Sequence, residues 1–128
     1  MTTNQAQAGI WGLMSATDDV LTEVAAERLR QDARWGEQNH RDGYGIEDLR
    51  RSLRFIISHE SPARGAQMFG EGALSSGCLT WSLILLEEVM EALEERDPAR
   101  LRAELVQVAA VAVQWAEAID RRTKGGGR

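Results

Sequence analysis

The chain has 128 residues with 43% hydrophobic content, enough for one domain with one core and too few for two ordinary ones. Its net charge of −5 argues against a general grip on DNA or RNA, which depends on Lys and Arg neutralising phosphates. Small phosphorylated ligands stay open, because a few arginines and a bound cation can reverse the field inside one acidic cleft. Cys78 is the only cysteine, so neither an intrachain disulfide nor a cysteine zinc site can form. The start lacks the basic flank and apolar run of a secretory signal, and no stretch approaches the roughly 20 apolar residues of a membrane span, so the expectation is a cytoplasmic protein with no membrane partner.

Residues 1–16 are polar or small apart from Ile10, Trp11, Leu13 and Met14 and have no sustained period, which predicts a loosely ordered, flexible arm with one docking spot. From Thr17, followed by Asp18 and Asp19, apolar residues recur at Val20, Leu21, Val24, Ala25 and Leu29, predicting a helix as far as Trp35. Gly36 to Gly45 has turn composition. Ile46, Leu49, Leu53, Ile56 and Ile57 predict a second helix carrying Arg50, Arg51 and Arg54, stopped by Ser61-Pro62.

Between Pro62 and Gly77 there are four glycines and no clear period, which predicts a mobile or functional loop. A third helix follows over Leu79–Arg96, apolar at Leu83, Leu86, Val89, Met90 and Leu93. Asp97-Pro98 reads as an N-cap and first helical residue of a fourth helix running to Arg122, striped by Leu101, Leu105, Val108, Ala112, Trp115 and Ile119. The expected fold is thus an all-α bundle of four to five helices over residues 17–122, between the arm and a disordered tail at 123–128. Long amphipathic helices in so short a chain predict a core completed by oligomerisation, as a homodimer or homotetramer.

On the third helix Glu87, Glu88 and Glu91 fall within an arc of about 100°. On the fourth, Glu104 and Gln107 share a face, and the tight turn at Asp97-Pro98 puts Glu91 and Glu104 at similar height. Such carboxylates repel one another unless a cation compensates, and an all-oxygen set suits Mg²⁺ or Mn²⁺. The plain alternative is a solvated acidic face. Glu104, set in the apolar run Leu101 to Val113, favours the metal reading, since a carboxylate there is costly unless paired.

At these residues the sequence resembles the MazG-like all-alpha nucleoside triphosphate pyrophosphohydrolases, whose signature is Glu-Glu-x-x-Glu on one helix and Glu-x-x-Asp on the next. Here the residues are Glu87-Glu88-Val89-Met90-Glu91 and Glu104-Leu105-Val106-Gln107. The likeness covers residues 79–122 best, and Arg30-Gln31, Trp35-Gly36 and Gln38 look like a phage and actinobacterial branch of that group. The resemblance implies a metal-dependent hydrolase that cleaves a nucleoside triphosphate to the monophosphate and pyrophosphate, with purine deoxynucleotides such as dGTP or dATP favoured. Glu88, Glu91 and Glu104 would be metal ligands, with Glu87 or Glu88 as the base. Gln107 departs from the pattern; its amide oxygen coordinates more weakly than a carboxylate and cannot act as a base.

Trp35 with Gln31, Gln38 and Asn39 could stack on and read a nucleobase, or pack in the core. Trp81 would line the same pocket or cap the core, and Trp115 reads as core. His40 and His59 read as ordinary surface histidines. Arg50, Arg51, Arg54, Arg64, Arg96 and Arg100 are candidates for holding phosphates. The alternative to an enzyme is a non-catalytic nucleotide-binding or helical interaction module.

Overall fold

A computed structural model describes residues 3–43 and 45–126, and it is all-α: among them run α1 (Thr3–Trp35), α2 (Ile46–Ile57), α3 (Pro62–Ser75), α4 (Trp81–Glu94) and α5 (Pro98–Gly126). The helices pack in a row, α2 on α3, α3 on α4, α4 on α5 and α5 on α1. No described part of α1 packs on α4, although both lie on α5, and that gap becomes the site described below.

Each boundary has a local cause. Asp97 accepts from the Arg100 amide at 3.0 Å, and Pro98 opens α5 where its missing N–H is not needed, so α4 and α5 form the expected antiparallel hairpin. Thr80 caps α4 through the Leu83 amide, and Gly36, at φ 69°, turns the chain out of α1. The 36–45 loop is tied to the start of α4 and to the later part of α5. The Trp81 and Ser82 amides donate to the Arg41 and Asp42 carbonyls at 2.9 and 3.0 Å, while the Asp42 carboxylate accepts from Arg122 and from the Trp115 indole. These two donors, Arg122 first, hold the Asp42 carboxyl below its usual range. Gly43 is required where it stands, since at φ 80° a Cβ would lie 2.3 Å from Ser82 Oγ.

Three expectations change. Residues 3–16 continue α1 instead of forming an irregular arm; Ile10 and Met14 are exposed, and the side chains of Trp11 and Leu13 lie outside the described ones. The missing period there did not prevent a helix. The 62–77 segment is α3 through Ser75. Ser61-Pro62, read as the end of α2, is also the start of α3, with Ser61 accepting from the Arg64 amide at 3.1 Å. Gly65 and Gly70 are buried contact points within it, not turn residues. At the other end α5 runs past Arg122 to Gly126.

The core is thin. Among the described residues the buried apolar ones are Val24, Ile56, Ala66, Trp81, Ala92, Ala110, Val111 and Ala118, of which only Trp81 and Ile56 are large and fully enclosed. Val20, Leu21 and Leu29 of the predicted α1 stripe stay exposed. Trp115 is half-buried, drawn to Asp42 rather than sealed in the core. His40 also departs from a surface role: its ring meets Trp81 edge-on at 5.0 Å, and burial pushes its imidazole pKa down.

Candidate functional site

Between α1 and the α4–α5 hairpin lies a cleft of about 580 Å³. Glu88 and Glu91, three residues apart on α4, face Glu104 on α5 across the hairpin seam. These three each offer a carboxylate oxygen within 4.8 Å of the others, as expected from the height of Glu91 and Glu104 above the Asp97-Pro98 turn. Gln107 lines the same wall one turn further along α5.

The cost of this convergence appears in the carboxyl groups themselves. Burial first, and then the charges of Glu91, Glu104, Glu87 and Glu27, push Glu88 from 4.5 up to about 7. Glu91 is raised by burial and by Glu87 and Glu104. Glu87 is also raised, by burial and by Glu71 of α3, but it is not among the cleft residues: its carboxylate sits beside Gly70 on the α3 side of α4. Of the two candidate bases, therefore, only Glu88 faces the cleft.

The opposite wall belongs to α1 and comprises Glu27, Arg30, Gln31, Arg34, Trp35 and then Gln38. Glu27 is buried and paired with Arg30 at 2.7 Å. Arg34 has no acidic partner among the described residues; its guanidinium lies 4.7 Å over the Trp35 ring. Gln31 accepts from Arg28, itself held by Asp32 and by Glu117 of α5, which fixes α1 against α5. From end to end the cleft changes from carboxylates, through guanidinium groups, to an indole with amides.

Gln31, Trp35 and Gln38 thus join the glutamates, and three other nominated residues do not. Trp81 is fully buried behind the 36–45 loop. Arg96 and Arg100 stand exposed at the α4–α5 turn, away from the cleft. The arginines that do line the cleft are Arg30 and Arg34, and a helical count along α1 could have found both, since Glu27, Arg30, Gln31 and Arg34 share one face. Glu27 and Gln114 were missed as well. A second cavity, of about 410 Å³ between α2, α3 and α4, is walled by Ile46, Leu49, Phe69, Leu83 and Leu86 and gathers no comparable set of charged groups.

Every donor on the acid wall is a hard oxygen, and net negative charge in a half-buried cleft calls for a cation; the residues present fit Mg²⁺ or Mn²⁺. No family model, no curated protein and no solved structure matches this chain. No described helix is long and apolar enough to cross a membrane.

Proposed function

We propose that the chain is a Mg²⁺- or Mn²⁺-dependent nucleoside triphosphate pyrophosphohydrolase of the MazG-like kind, releasing a nucleoside monophosphate and pyrophosphate. The observation that carries this reading is the convergence of Glu88, Glu91 and Glu104 at one end of a cleft whose other wall supplies arginines, an exposed indole and amides. That order of groups matches phosphates, sugar and base laid out along one molecule.

Glu88, Glu91 and Glu104 would hold the cation, with the Gln107 amide oxygen next to them. When bound, such an ion offsets the charge of phosphate oxygens and makes a nearby water easier to deprotonate. Arg34, without an acid partner among the described residues, is the cation best placed to take a phosphate, and Arg30 joins it by exchanging Glu27 for phosphate oxygens. Glu88 would take the proton of the attacking water, since of the two candidate bases it lines the cleft and Glu87 faces away. The exposed apolar residues of the thin core support a homo-oligomer, and the protein is read as cytoplasmic.

The test is a panel of nucleoside triphosphates with Mn²⁺ and a pyrophosphate readout. Release of pyrophosphate, lost in Glu91→Gln, supports the reading; no release from any nucleotide overturns it. Gln107, neutral on the metal wall, favours one second reading, a nucleotide-binding module without turnover. That module would show Mn²⁺-dependent nucleotide binding and no pyrophosphate.

A further inference from the structure

The carboxylates and arginines account for one end and the middle of the cleft, but not for the amides at its far end. Gln114 is only 4% exposed, yet it lines the cleft. A primary amide carries two N–H donors and an oxygen with two lone pairs. Gln114 uses little of this: its Nε2 donates to Gln38 Oε1 over a long 3.4 Å, and no described residue donates to its own side-chain oxygen. The Gln38 amide nitrogen likewise has no acceptor among the described residues. Buried polar side chains are normally satisfied, so an amide this enclosed and this underused, opening into a cleft, has capacity kept for a ligand.

Its position says which part of a ligand. Glu104, Gln107, Val111 and Gln114 are spaced three, four and three apart on one face of α5, so Gln114 lies about 15 Å along the axis from Glu104. Trp35 at the end of α1 and Gln38 in the loop after it stand at the same end. A triphosphate anchored at the glutamates therefore brings its base, not its sugar or phosphates, to Gln114.

Resting on the nucleotide reading above, we propose that Gln114, supported by Gln38, is the residue that selects the base, and that it selects adenine. A glutamine amide presents one donor beside one acceptor, which adenine answers with N7 and its N6 amino group in two parallel hydrogen bonds.

The experiment is calorimetric binding of the non-hydrolysable α,β-imido analogues of dATP, dGTP, dCTP and dTTP to the full chain with Mn²⁺, which keeps the triphosphate anchor and needs no turnover. Wild type should bind the dATP analogue at least about 10-fold tighter than the others, the discrimination one bidentate amide contact supplies. In Gln114→Leu the four affinities should draw within about threefold of one another while Mn²⁺ binding is unchanged. Gln114→Glu, which keeps the side-chain shape, and the less buried Gln38→Leu give the same comparison if the leucine variant does not fold. A wild type without base preference, a preference for another base, or a preference that survives all three variants overturns the assignment. If adenine selection behaves as expected but no triphosphate yields pyrophosphate, the hydrolytic reading falls and the base assignment stands. If pyrophosphate is released without regard to base, the reverse holds.

Discussion

At Glu88, burial and four neighbouring carboxylates all act in the same direction, and the consequence is a stability that depends on pH. The folded chain holds this proton more tightly than the unfolded chain, so the group contributes stability that is fully present below about 4.5 and is lost as pH rises through about 7. Without metal, the melting temperature should fall between about pH 5 and about pH 8, and Glu88→Gln should flatten that slope. A flat wild-type profile in chelator would contradict this. Cation affinity should climb over the same window, because the ligands must be ionised to bind. Glu91→Gln makes a complementary case: it removes repulsion, so it should raise the metal-free melting temperature and abolish the upward shift that Mn²⁺ gives to wild type. A Mn²⁺ shift of undiminished size in the variant would show that Glu91 holds no metal.

Within α4 the glutamates divide their work by helix face. Glu88 and Glu91 turn to the cleft, Glu87 turns to α3, and Glu94 reaches the start of α3, where it accepts from the Ala63 amide at 2.9 Å and from Ser61. Glu95 accepts from the amides of Arg96 and Asp97 and shapes the turn into α5. Glu94→Ala should therefore cost about 1 kcal/mol and speed hydrogen exchange in the first turn of α3, leaving metal binding alone. At Gly65 an added Cβ would meet the Ile56 carbonyl oxygen at 2.7 Å and His59 at 2.9 Å, so Gly65→Ala should destabilise by about 1–3 kcal/mol in denaturant titration, against the gain expected of alanine in an open helix. These contacts explain what could be read in advance. The α4–α5 hairpin and three of its carboxylates were legible because apolar period, cap and turn all agree there. Helix α3 was not, since glycine and proline signal a loop when local and a close helix contact when tertiary, and Gln114 was hidden inside the apolar stripe between Ala112 and Trp115.

For the whole molecule, a row of helices each touching only its neighbours leaves apolar faces uncovered, Leu29 at 72% and Leu93 at 74% exposure among them. Light scattering should give a mass above that of one chain, and Leu29→Glu or Leu93→Glu should lower it; a monomeric wild type would contradict the expectation of a shared core. The gap between α1 and α4 has a different consequence. Since α1 is fastened to α5 and to the 36–45 loop but not to α4, anything filling the cleft supplies the lateral brace that the layer itself lacks. A bound nucleotide would serve for its residence time as part of the wall, and α1 should be the helix whose amide protons it slows most.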